Sequence, residues 1–577
     1  MRSIYCIVIL TIIVANAFAQ EKVFFHRSTG ALQSINKADI DSITFDTISS
    51  GLRIHRKNQS ITTMPTASID SIKIFELPVV SYSPPTYTDD YSSISGWTNR
   101  LRWNLANVHD PTVAKDGDFY YMYQTDASYG NVHNGRGHYP YRRSRDLVNW
   151  TFLGFAMPNT PPTWVKDSLN AMRARNGLVA IDNPLYGYWA PVVRKVGNKY
   201  RLYYSMIVDN FIRTGLPNTA ANFDNSWTER AFIGMMETES LESNVWVDKG
   251  YVIHSVSDRG TNWFRSSYTS DWSGYFMWNA IDPTYIETPQ GEHWLIYGSW
   301  HSGIPAVKID PITGKPFRLS TLADYGIRIA RRQNNDNNRW QALEGPEIIY
   351  NPDTKYYYLF LAYDELSVAY NTRVARATNI TGPYYGINGA NITTGADCFP
   401  IITHPYKFNN HSGWVGFAHC AVFQDTETKQ WYYTSQARLP EGAGGNAFAN
   451  AIMMGHVRKI VWTDNGWPVV LPQRYANVPQ TIITDEDLVG TWEHITLSYS
   501  YQMQRTSTTL TLHPNYIATG ALNGNWSYNA NTKTLSIGTT RLKIERELDW
   551  EANPRVPTIV YAGLNSSGHS LWGKKSQ

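Results

Sequence analysis

The sequence predicts an all-β protein: a five-bladed β-propeller, preceded by a small β module and followed by a C-terminal β-barrel or sandwich domain. Three observations predict it. A Tyr/Trp-rich hairpin pattern recurs five times within residues 98–482, long helical periodicity is almost absent, and short alternating segments run from about Val489 onward. At 577 residues the chain exceeds one ordinary domain, so two or three are expected.

Residues 1–19 read as an export signal: Arg2, an apolar run from Ile4 to Val14, then Ala17-Phe18-Ala19 before Gln20. Cys6 lies inside the apolar run, which does not suit a lipid anchor. No other apolar stretch approaches the roughly 20 residues that cross a bilayer, so no transmembrane segment is expected. The mature protein is expected to be secreted, in a periplasm or at a cell surface, and monomeric. Residues 20–77 contain a short repeat, Ala38-Asp39-Ile40-Asp41-Ser42-Ile43 against Ala67-Ser68-Ile69-Asp70-Ser71-Ile72, each running into a β-like apolar segment. Residues 78–97, with Ser83-Pro84-Pro85-Thr86, read as a linker.

The propeller is expected over residues 98–482. Each copy opens on a special residue, usually before proline, continues through a β-branched pair and a polar turn, and ends in an aromatic strand. The openings are Asp110-Pro111, Ala190-Pro191, Asp282-Pro283, Gly345-Pro346 and His419-Cys420. Turns such as Lys115-Asp116-Gly117-Asp118 and Asn351-Pro352-Asp353-Thr354 are hairpin chemistry. The spacing leaves room for a four-stranded blade plus loops. Residues 483–577 read as a separate small β domain.

Charge excludes little except nucleic acid: 51 basic and 48 acidic residues leave a formal +3 with no basic run. Aromatic content is 14%, with 21 Trp and 38 Tyr, which suits both β-sheet and surfaces that stack on sugars. After signal removal Cys398 and Cys420 remain, and a disulfide or two buried thiols are equally compatible with an exported domain of this size.

In a propeller the innermost strands crowd one axis, so Asp110, Asp282, Glu344 and His419 are expected together in a central pocket. A single Asp-Pro is usually a turn; three acids at equivalent points of a fivefold repeat favour catalysis. Glycosidic cleavage needs one carboxylic acid for the leaving oxygen and a second carboxylate on the opposite face, and a third can raise the acid's pKa. His419 faces the channel, where calcium with mostly water ligands can sit, so His419 is the candidate metal ligand and calcium the expected cofactor. Trp189 and Trp300 are candidate stacking platforms for the sugar, with core packing the competing role. The insertion from Val208 to Phe276 is expected to shape the groove wall.

These phrases resemble glycoside hydrolase family 43, and within it the endo-arabinanases. The resemblance rests on Val108-His109-Asp110-Pro111, the run from Tyr141 to Trp150, Tyr188-Trp189-Ala190-Pro191, Ala280-Ile281-Asp282-Pro283, Leu343-Glu344-Gly345-Pro346, Gly413–His419 and Trp467-Pro468-Val469-Val470. It implies inverting hydrolysis of α-1,5-linked arabinan, with Asp110 as general base, Glu344 as general acid, Asp282 tuning and orienting the acid, and calcium near His419. Arabinan and arabino-oligosaccharides are the implied partners. Gly416-Phe417-Ala418-His419-Cys420 departs from the Gly-Pro-Gly-His-Asn usual there, and Glu347 is the second candidate acid. Competing functions are an exo-acting arabinofuranosidase or β-xylosidase on the same scaffold, and a sugar-binding propeller without catalysis.

Overall fold

Five antiparallel sheets of four strands each carry the central part of the chain among the described residues. The structure is a computed structural model that describes residues 20–28, 32–46, 50–77, 81–126, 133–175, 177–209, 228–256, 276–332, 341–408 and 411–576. The export signal expected at residues 1–19, linker residues 78–80, and parts 210–227 and 257–275 of the groove-wall insertion lie outside them.

Each sheet is a meander whose strands pair in chain order, as tight hairpin turns require. In the first, Thr112–Asp116 pairs with Phe119–Tyr123, then His138–Ser144, then Thr151–Met157. Gly117, at φ 56°, makes the first turn, a conformation that costs glycine little. The opening strands of the five sheets are Thr112–Asp116, Tyr186–Val196, Thr284–Glu287, Leu343–Asn351 and Ala421–Gln424. Each lies against the next, and the fifth returns to the first, so the openings surround one axis.

Because the sheets pack against one another, the second strands lose the usual in-out alternation and are buried on both faces, polar residues such as Ser205 and Gln436 included. Tyr356–Tyr363 and Trp431–Arg438 are buried along almost their whole length. Tyr203, Tyr285, Leu295 and Tyr297 fill the space between the second and third sheets, and Ile296, Ile304, Ile348 and Leu359 that between the third and fourth. The sequence reading found no long helix. The structure contains a 13-residue one, Thr163–Arg175, which buries Val165, Leu169 and Met172 at helical spacing.

Strands from Gly490–Leu497 to Ser570–Lys575 close an eight-stranded barrel. It shares one apolar core with the fifth sheet, where Trp572, Ile495 and Val560 pack with Tyr406, Trp414 and Phe417. Its loop also grips the fourth sheet: Tyr499 donates to Asp364 at 3.3 Å, and Tyr501 to Glu365. Residues 20–77 form two three-stranded sheets, and each copy of the short repeat is a 3-10 turn leading into a strand, Lys37–Asp39 before Ile40–Asp46 and Thr66–Ser68 before Ile69–Leu77. Gln33 Nε2 of this module donates to Tyr516 of the barrel at 2.8 Å. Cys398 and Cys420 are buried free thiols. No helix among the described residues is long and apolar enough to cross a membrane.

Candidate active site

The residues that open the five sheets share one backbone conformation. Asp110, Ala190, Asp282, Gly345 and His419 have φ of 47°, 38°, 53°, 54° and 51°. An L residue there costs about 1–2 kcal/mol, and such outliers persist where surrounding structure holds them, as at functional sites. Gly345 occupies the repeated position, as the opening Gly345-Pro346 implied, so Glu344 lies one residue before it and the three acids do not stand at strictly equivalent points, contrary to that part of the sequence expectation. Glu344 precedes it, still paired with Ala362, and the register breaks between Glu344 and Glu347. Such a bulge re-aims the side chains beside it. Glycine is required at the repeated position of the fourth sheet because a Cβ there would come within 2.8 Å of the His419 ring.

The axis nonetheless gathers the expected groups. Asp110 Oδ2 accepts from Thr125 Oγ1 at 2.6 Å, and Oδ1 lies 2.9 Å from His419 Nδ1 and 3.3 Å from both Gln436 Nε2 and His109 Nε2. Burial alone would raise the Asp110 carboxyl, but His109, His419 and the Thr125 hydroxyl hold it well below the usual carboxylate range. Asp282 Oδ2 accepts from the Gly345 N–H at 3.1 Å. Its burial, reinforced by the Glu344 and Asp110 charges and opposed by His419, pushes that carboxyl up. His419 is pulled down by burial but pushed up to about 10 by Asp110 and Asp282, so it is cationic beside them.

Glu344 is held by three donors: Tyr370 Oη to Oε1 at 2.5 Å, Ser299 Oγ to Oε2 at 2.9 Å and Trp300 Nε1 to Oε2 at 3.0 Å. Burial and the adjacent Glu344 charge keep the Tyr370 phenol far above its ordinary range, so it acts as a donor. Trp300 thus touches the carboxylate through its indole N–H, a contact that neither platform stacking nor core packing anticipates. Trp189 is 41% exposed beside the repeated position of the second sheet. Glu347 is buried and taken by structure: Arg194 at 2.5 Å, Thr284 Oγ1 at 2.7 Å and the Val422 N–H at 3.1 Å.

Thr125, Ser205, Ser299, Tyr370 and Gln436 were not singled out from sequence. All but Tyr370 follow a rule: the second strand of the first, second, third and fifth sheets, or the residues just past it, supports the opening of the next sheet. The Asp110 N–H donates to Gln436 at 2.9 Å, Ala190 N–H to Thr125 at 2.7 Å and Asp282 N–H to Ser205 at 3.2 Å. The signal was a polar residue ending each aromatic strand, as in Tyr123-Gln124-Thr125, Tyr204-Ser205 and Tyr297-Gly298-Ser299.

For a metal, the protein donors are few. His419 Nδ1 is engaged by Asp110, which leaves Nε2, and no group of three or more His, Cys, Asp or Glu side chains among the described residues is arranged to hold an ion. The donor set fits a cation only if the ion displaces the Nε2 proton of the His419 imidazolium, which would make Nε2 its single protein ligand with water completing the shell.

Paired carboxylates on the axis of stacked sheets define a class, the glycoside-cleaving enzymes. Residues 105–468 match the model of glycosyl hydrolases family 43, and residues 472–573 that family's C-terminal lipocalin-like domain; the chain belongs to this family. It is similar to an extracellular endo-α-(1→5)-L-arabinanase of Thermotoga petrophila, 26% identical over 508 residues, spanning 82% of this chain and 94% of the relative. An extracellular exo-α-(1→5)-L-arabinofuranosidase of Cellvibrio japonicus is 27% identical over 376 residues, 63% of this chain and 86% of that one. The crystal structure of endo-1,5-α-L-arabinanase from Thermotoga petrophila RKU-1 superposes with a TM-score of 0.60 at 24% identity, covering 82% of this chain and 99% of that one, a likeness of fold.

Proposed function

We propose that this protein is a five-bladed β-propeller hydrolase that cleaves α-1,5-L-arabinofuranosidic bonds within arabinan chains, with inversion of configuration. The observation that carries it is the axial pair: Asp110 held ionised by His109, His419 and Thr125, and Glu344 gripped by Tyr370, Ser299 and Trp300. In this reading Asp110 takes a proton from water as that water attacks the anomeric carbon, and Glu344 donates its proton to the departing oxygen. The Glu344 charge is among the causes that push the Asp282 carboxyl up, so the two carboxyls sense each other on the axis, as the proposed role of Asp282 beside the acid requires. Trp189, exposed at the rim, supplies a face for the sugar ring.

Action within the chain is the reading because the relatives that align along 81–82% of this protein are named endo-arabinanases, while shorter endo-acting relatives align along 51% and the exo-acting one along 63%. The size of early products from linear arabinan tests this. A mixture of short arabino-oligosaccharides is expected; a single small product from chain ends selects the exo-acting alternative, and no hydrolysis removes arabinan as substrate. An exported enzyme, in a periplasm or at a cell surface, suits the signal-like start of the sequence and the extracellular relatives.

Calcium enters as a proposal through His419 Nε2. When bound, the ion would offset the negative charge of the axial carboxylates. Chelation followed by dialysis is expected to lower activity, with recovery on adding calcium and not on adding sodium. Activity unchanged by chelation would leave the His419 imidazolium and the Arg438 guanidinium as the counter-charges to Asp110.

Replacing Asp282 by Asn removes the carboxyl that the proposal sets beside the acid to tune it. The alkaline limb of kcat/KM is therefore expected to move to lower pH, by about one unit or more. An unmoved limb with reduced kcat would make Asp282 a purely geometric support.

A further inference from the structure

A cleft of about 580 Å³ opens between the fourth and fifth sheets, far from the axial carboxylates. Along the strand Tyr356–Tyr363, Ala362 pairs with Glu344, while Tyr356, at the other end, lines the cleft, roughly 20 Å away at strand rise. Arg376 is the only charged side chain in its lining. The Arg376 guanidinium is sandwiched between two rings, 4.4 Å from the Tyr356 centroid and 4.3 Å from that of Trp467. Its Nη1 donates to the carbonyls of Asn465 at 3.0 Å and Gly466 at 3.3 Å.

What distinguishes Arg376 is a missing counter-charge at an open cleft. Arg194, Arg201, Arg332 and Arg474 pair with Glu347, Glu237, Asp364 and Asp89, while Arg142 and Arg458, which have no ion pair among the described residues, are fully buried and held by backbone carbonyls. Among the described residues none pairs with Arg376. Stacking and two carbonyls fix the fork in place, so little side-chain entropy remains to be lost when a planar anion docks on it. Beside it, Tyr385 stands 44% exposed, its backbone clamped to that of Arg376 by N–H···O bonds of 2.9 and 3.0 Å. Asn465 accepts from Thr463 through Oδ1, which leaves its amide nitrogen as a donor. A rigid guanidinium, an exposed aromatic face and a neighbouring amide are the groups that bind a sugar carrying a carboxylate.

We infer that this cleft binds a uronic acid residue of an acidic polysaccharide, with its carboxylate on Arg376 and its ring against Tyr385. The site goes beyond the hydrolytic reading: it would hold the enzyme on an acidic chain while cleavage proceeds at the axis. A neutral arabinose residue would leave the Arg376 charge uncompensated.

The test is calorimetric titration of the full chain with trigalacturonate and with its methyl ester, which keeps the rings and removes the charge. The expected result is saturable, salt-sensitive binding of the acid, weakened about tenfold or more by esterification or by Arg376→Gln, and severalfold by Tyr385→Ala. Both variants should hydrolyse short arabino-oligosaccharides at the wild-type rate. Absence of saturable binding, equal binding of the ester, or binding untouched by Tyr385→Ala would overturn the inference. Tyr385 is exposed, so that variant and the ester remain informative even if Arg376→Gln perturbs folding. Uronate binding is read independently of hydrolysis, so failure here and failure of the arabinan reading are separable.

Discussion

Replacing Glu344 by Gln is expected to lower kcat on linear arabinan by about 10²–10⁴-fold, the contribution of a positioned general acid, with KM little changed. Gln is nearly isosteric, so Ser299 and Trp300 keep an oxygen acceptor and the Tyr370 hydroxyl can accept from the new amide. The protein should remain folded, which separates lost chemistry from lost structure. Steady-state kinetics beside a thermal melt reads both. A fully active Glu344→Gln enzyme would remove the acid assignment, and with it the reason three donors converge on this carboxylate.

The second large effect is on stability and falls on the other glutamate of the same strand. Glu347 joins the second, third and fifth sheets to the fourth through Arg194, Thr284 and the Val422 N–H. Its side chain is 3% exposed, while that of Arg194 is 21% exposed. Breaking a buried pair from one side leaves the partner unpaired at a cost of about 3–5 kcal/mol, and the partial exposure of Arg194 places Glu347→Gln toward the lower end. The thermal midpoint should fall by several degrees, while hydrolysis below the melt stays near wild type. A variant with wild-type stability and lost activity would instead make Glu347 the acid.

The contrast between these neighbours explains what the sequence could disclose. The fivefold opening pattern was legible because the repeated position imposes one unusual backbone conformation, which Gly, Asp and His adopt more readily than most residues. The positions of Asp110, Asp282 and His419 followed from that. Glu344 was found beside the opening Gly345-Pro346, in the phrase Leu343-Glu344-Gly345-Pro346; why glycine and not the acid holds the repeated position, the space taken by the His419 ring, is visible only once two sheets meet.

The supporting residues were harder to see. Thr125, Ser205 and Gln436 each act on the next sheet, so their role depends on which sheets adjoin and not on their own hairpin. Tyr370 lies on a loop of the fourth sheet with no counterpart in the other copies, and its contact with Glu344 left no periodic trace. The helix Thr163–Arg175 did leave one, Val165, Leu169 and Met172 at spacings of four and three, but within a chain dominated by strand signals. The short N-terminal repeat was legible as two strand starts, whereas the contact of Gln33 with Tyr516 joins segments at opposite ends of the chain.

The central claim is that Asp110 delivers water to the face opposite Glu344, and the anomeric configuration of the first product tests it most directly. Proton NMR of a linear arabinan digest, recorded before mutarotation, is expected to show the β-anomer at newly formed reducing ends, since single displacement inverts an α-linkage. Initial accumulation of the α-anomer would show retention, make one of the axial carboxylates a nucleophile, and contradict the account.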